Sequence, residues 1–157
     1  MKCDFSDRAS LLKAIAPLRD ATFLGRELVH DAASRSVTLT LTRPDAAGRR
    51  PGGFFAGARR PSYLRTVVRI RRVVSYKQYL TAGPEDVYVL DRAEVERNGT
   101  EIALYFRPGD RAVMDVEGIE GMVEDAGKAT SAPRRPPGVN PLAGKGPAGD
   151  RSRRPKG

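Results

Sequence analysis

Residues able to do acid–base or nucleophilic chemistry are scarce in this chain. There is one histidine, His30, and one cysteine, Cys3. A thiolate nucleophile needs a placed base and a third group that orients it, and the sequence offers no third member. The expected role of His30 is that of a strand-end side chain bonded to the adjacent turn. Carboxylates crowd between Glu85 and Asp125, but strand alternation accounts for them as the wet side of a half-exposed sheet. No calcium-loop spacing or Asp-x-Asp cluster occurs among them. One cysteine also rules out an internal disulfide and a Cys-x-x-Cys zinc site. The expectation is therefore a protein that is not an enzyme, with no catalytic residue, no metal and no cofactor.

Two motifs match by letters only. Residues 144–149 read G-x-G-x-x-G, yet a dinucleotide site needs a buried strand before it and a helix after it. Here the match falls in a Pro-rich tail. Asn98-Gly99-Thr100 spells a glycosylation acceptor, but Asn-Gly is also the dipeptide that best fits the two left-handed positions of a type I′ hairpin turn.

Arg-Arg-Pro, by contrast, occurs four times, at residues 49–51, 59–61, 134–136 and 153–155. Proline holds the preceding residue extended, so each unit displays two guanidinium groups on a stiff backbone, suited to bidentate bonds with phosphate oxygens. The candidate polyanion-binding residues of the central segment are Arg49, Arg50, Arg59 and Arg60, with Phe54 and Phe55 as stacking faces for single-stranded bases. Those of the tail are Arg134, Arg135 and Lys145, then Arg151, Arg153, Arg154 and Lys156. Arginine outnumbers lysine 22 to 6, a bias that GC-rich coding would also produce. A further run, Arg69, Arg71 and Arg72, reads either as a solvated strand face, the preferred reading, or as a continuation of the basic surface.

These residues must be carried by secondary structure that periodicity makes legible. Ser6 predicts a helix cap, with Leu11, Leu12, Ile15 and Leu18 on one face; Pro17 ends the helix by pushing Ala16 off helical angles. Val37, Leu39 and Leu41 alternate with hydroxyl residues in a strand that pairs with the run 22–30 through the turn 31–35. Residues 63–76 read as one strand with a bulge at Arg71-Arg72 that keeps both halves on one face. Around Asn98-Gly99 the hairpin register places Val95 opposite Ile102, Ala93 opposite Leu104, and Glu96 opposite Glu101. That last pair calls for Arg92 or Arg97 nearby. Arg107-Pro108-Gly109-Asp110 supplies another turn, Ala112, Met114 and Val116 face inward on the strand after it, and a short strand covers 119–123. The expected fold class is α+β: one N-terminal helix, then an antiparallel β-meander of about six to seven strands. The absence of crossover helices rules out a parallel sheet.

Charge divides the chain further. Of the net +9 in 157 residues, residues 128–157 carry eight basic groups against one acid, and residues 43–61 carry five against one. The expected organisation is a domain over 1–127, with a long basic loop at 43–62, and a disordered Arg/Pro/Gly-rich tail over 128–157. The opening residues lack an apolar signal core and no apolar run is long enough to span a bilayer, so a soluble, cytoplasmic protein is expected, with no membrane and no small-molecule substrate. The functional expectation is an accessory protein whose loop and tail hold a polyanion, RNA or a ribonucleoprotein surface. Its rival is a protein-binding inhibitor, immunity or adaptor module using the acidic sheet face around Glu96, Glu101, Asp115 and Glu117, with the tail an inert extension.

Overall fold

In the computed structural model, residues 1–45, 62–129 and 131–133 are described. The chain begins on a strand, β1 (Lys2–Phe5), before its single α-helix, α1 (Arg8–Ile15). Asp7, not Ser6, caps that helix: its carboxylate accepts the Ser10 N–H at 2.7 Å, and the Ser10 hydroxyl accepts the Asp7 N–H at 3.1 Å. A carboxylate has the advantage over a hydroxyl there because it also meets the positive end of the helix. Ala16 keeps helical angles (φ −51°, ψ −43°) despite Pro17, and a 3-10 turn over Ala16–Leu18 follows. The pre-proline penalty is a bias, and here the full burial of Leu18 outweighs it.

Nine more strands follow: β2 (Thr22–Leu24), β3 (Leu28–Asp31), β4 (Ser36–Pro44), β5 (Tyr63–Ile70), β6 (Val73–Tyr79), β7 (Val87–Glu96), β8 (Glu101–Arg107), β9 (Asp110–Val116) and β10 (Gly121–Ala129). Every pairing is antiparallel, so the α+β class with a mostly antiparallel sheet holds. The strand count is ten among the described residues, not six to seven. A 3-10 turn at Gly25–Glu27 splits the run 22–30 in two, and the final strand extends to Ala129 across a register shift between Asp125 and Lys128.

Nor is the sheet a simple meander. Its order is β1-β10-β5-β4-β2-β7-β8-β9-β6, with β3 also on β4, and only β3-β4-β5 and β7-β8-β9 are sequential. The expected bulge at Arg71-Arg72 is a break between strands instead. Arg72 takes a left-handed φ of 59°, and the chain leaves β4 and β10 behind to pair with β9. Because β9 and β10 are also consecutive, 63–79 and 110–129 form one long bent ribbon. The path from β5 through β4, β2, β7, β8 and β9 returns to β6, two residues from where it began. The sheet thus curls on itself around one core, in which Val37, Leu39, Leu41, Ile102, Leu104, Ala112, Met114 and Val116 are buried with Leu11, Ile15 and Phe23. His30 stacks on Tyr76 across the β3–β6 seam, with ring centroids 4.9 Å apart.

The Asn98-Gly99 hairpin follows local sequence closely. Asn98 (φ 58°, ψ 33°) and Gly99 (φ 88°) are both left-handed, the Thr100 N–H donates to the Arg97 carbonyl at 3.2 Å, and the pairs Ala93–Leu104, Val95–Ile102 and Glu96–Glu101 all form. Arg97 reaches Glu101 at 3.3 Å, while Arg92 is held by Asp91 and Glu94. Among the described residues, no helix is long and apolar enough to cross a membrane.

Candidate anion-binding groove

The residues that the Arg-Arg-Pro pattern singles out do not enter the described structure. Arg49, Arg50, Phe54, Phe55, Arg59 and Arg60 lie outside the described residues, as do Arg134, Arg135, Lys145, Arg151, Arg153, Arg154 and Lys156. What is described is where their segments join the sheet. The Asp45 N–H donates to the Ser62 carbonyl at 2.9 Å, and Tyr63 is the register partner of both Pro44 and Ala129. Both basic segments therefore join at the same end of the β4–β5–β10 layer.

At the other end of that layer lies a groove of about 600 Å³ with Arg35, Arg69, Arg71 and Arg72 in its lining. Two tight turns build it. In the β3–β4 turn the Asp31 carboxylate accepts the Ala33 N–H at 3.0 Å and the Ser34 hydroxyl at 2.8 Å, a side-chain mimic of a backbone turn. This brings the chain to Arg35 with a left-handed φ of 52°. The second turn is the β5–β6 break at Arg71-Arg72. Backbone bonds stitch the turns together: the Val73 N–H donates to the Arg35 carbonyl at 2.9 Å, the Arg71 N–H to the Glu120 carbonyl at 2.8 Å, and the Glu117 N–H to the Arg72 carbonyl at 3.0 Å. Arg69 comes from β5 itself, opposite Thr38.

The four arginines are not equivalent. Arg35 pairs with Glu117 at 2.5 Å and Arg71 with Glu120 at 3.6 Å, each pair about half exposed. Such pairs are worth little in water. Arg69 and Arg72 are exposed and make no ion pair among the described residues. Two of the arginines, Arg35 and Arg72, occupy backbone angles that favour glycine, at a cost of order 1 kcal/mol each. The groove gathers four guanidinium groups beside the carboxylates of Asp31 and Glu120, and guanidinium groups such as those of Arg69 and Arg72 have the donor geometry for bidentate bonds to an oxyanion. The run 69–72 was visible in the sequence. Arg35 was missed because only the return of β6 to the β3–β4 turn brings it there, and the one local signal was the turn-forming Asp31-Ala-Ala-Ser34.

The other candidate groups lead elsewhere. Cys3 sits on β1, its thiol directed to the Asp4 carbonyl at 3.6 Å. His30, on β3, is a stacking partner of Tyr76 rather than a turn-bonded side chain, and burial pushes the Tyr76 hydroxyl pKa upward. Among the described residues no group of three or more His, Cys, Asp or Glu side chains could hold a metal ion. In the acidic face, Glu96, Glu101 and Asp115 do form a row in register across β7, β8 and β9. Two of its three members are engaged within the chain, Glu101 with Arg97 and Asp115 with the Ser75 hydroxyl at 2.6 Å, as is the nearby Glu117 with Arg35. The chain matches no protein-family model, no curated protein and no solved structure, so the groove is read from its own chemistry.

Proposed function

We propose that this protein is a non-enzymatic accessory protein that binds a polyanion, RNA or the surface of a ribonucleoprotein. The groove of Arg35, Arg69, Arg71 and Arg72 supplies a fixed oxyanion seat, and the Arg-Arg-Pro segments add attraction that is indifferent to sequence. One observation carries the reading: three arginines from two separate turns and a fourth from β5 meet at one groove, with Arg35 and Arg72 on left-handed backbone. Such outliers persist where the surrounding structure over-determines them, and they cluster at functional sites.

The test separates binding from folding. Arg72→Gly removes a cation while relieving the left-handed strain. Its unfolding free energy is expected to stay within about 1 kcal/mol of the parent, because strain relief and the extra unfolded-chain entropy of glycine oppose each other. Its affinity for a labelled single-stranded RNA at low salt is expected to fall several-fold, and in a salt series the slope of log K against log salt loses about 0.7, one single-strand phosphate contact. Unchanged affinity and slope in this variant and in Arg69→Gln would remove the groove from the function.

A further inference from the structure

Asp31 and Ser34, which line the same groove as the arginines, have a defined proton direction. The Asp31 carboxyl is held below its usual pKa by the Ser34 hydroxyl and Ser34 N–H, so it is ionised and can only accept. The single Ser34 hydroxyl proton is therefore spent on Asp31, at 2.8 Å. Ser34 and Ser36 lie 2.7 Å apart oxygen to oxygen, and geometry alone would let either donate. With the Ser34 proton committed, Ser36 must be the donor. Both hydroxyl protons are then used within the turn, and what Asp31 and exposed Ser34 offer the groove is lone pairs only.

The lining thus presents guanidinium donors and, in the same groove, acceptors. A bare phosphate or sulfate satisfies the first and is repelled by the second. A ligand that meets both carries an oxyanion and, a few ångströms away, hydroxyl groups that donate. We infer that the groove seats one ribonucleotide unit of a single strand, its phosphate on Arg69 and Arg72 and its ribose 2′-hydroxyl donating to the Ser34 hydroxyl oxygen, whose own proton Asp31 holds. The inference rests on the polyanion reading above and adds to it a discrimination: the 2′-hydroxyl is the group by which a protein tells RNA from DNA at a given site.

The experiment compares two labelled single strands of equal length and identical base, oligouridylate and oligodeoxyuridylate, bound to the full chain at fixed moderate salt. The expected result is a preference for the ribose strand of about five- to tenfold, the scale of one hydrogen bond. Ser34→Ala is expected to bring the ratio close to one with little change for the deoxy strand, and Ser34→Thr, which keeps the hydroxyl, to retain it. Asp31→Asn should raise deoxy binding, since an amide can donate to Ser34 and release a hydroxyl proton into the groove. Equal affinity for both strands in the parent, or a preference that survives Ser34→Ala, overturns the ribose assignment and leaves the polyanion reading standing. If neither strand binds, both readings fall.

Discussion

Asp125 shows how one side chain in this sheet is committed by its neighbours. It accepts from the Met1 ammonium at 2.7 Å, from the Thr66 hydroxyl at 2.7 Å and from Arg43 at 2.9 Å, while Arg43 also donates to Thr66 at 3.0 Å. Burial works to raise its pKa, but the Met1 ammonium, Thr66 and Arg43 outweigh it and hold the carboxyl at about 2, against an ordinary 3.8. Since the folded value is the lower one, the unfolded chain binds more protons between the two, and the contribution is present above about pH 4 and lost as pH falls through about 2. Its size follows from the shift, about 2 kcal/mol. Chemical denaturation between pH 5 and pH 2 should therefore show the parent losing about 2 kcal/mol more than Asp125→Asn, which starts less stable because Arg43 and Met1 keep their charges without the carboxylate. Parallel pH profiles for the two proteins would show that Asp125 has no such shift.

At the scale of elements, the start of β10 decides whether the groove has its shape. Gly121 is flanked by Phe5 of β1 and Ile70 of β5, and a Cβ built on it would lie 2.2 Å from the Arg69 carbonyl oxygen and 2.3 Å from the Phe5 ring. Neither is the free end of a flexible chain, so Gly121→Ala has to move a β5 backbone that also carries Arg69. The expected cost is about 3 kcal/mol or more in urea unfolding, with weakened RNA binding at temperatures where the variant is still folded. A loss under 1 kcal/mol would mean that β1 is only loosely laid on β10. None of this closeness was legible beforehand, because it depends on strands more than fifty residues apart in sequence meeting side by side. What was legible was local: the Asn98-Gly99 turn with its register, and the alternation of 37–41 and 112–116. The break at Arg71-Arg72 was located in the sequence but misread as a bulge. Non-glycine residues seldom adopt a left-handed angle, and nothing within reach of Arg72 in sequence announces the bond that holds it, from Glu117.

Across the whole molecule the charge is divided by place. The described residues hold 17 Lys and Arg against 18 Asp and Glu, while the remaining residues hold 11 against one. The body is close to neutral, and within it most arginines are paired, which is why the groove with its two unpaired cations stands out from the rest. The basic segments join the body at the Tyr63 end of β4 and β5, whereas the groove lies at the Ile70 end, about 25 Å away along the strands. In the proposed reading the tasks divide accordingly: charge on the segments would set how strongly binding depends on salt, and the groove which sugar is accepted. Replacing Arg134, Arg135, Arg153 and Arg154 together by Gln should make the slope of log K against log salt shallower by up to about 3, at 0.7 per single-strand phosphate. The ratio of oligouridylate to oligodeoxyuridylate affinity should stay at its parent value. If the ratio falls with the slope, selectivity belongs to the segments and the groove is only another cationic patch; if the slope does not move, those arginines touch no phosphate.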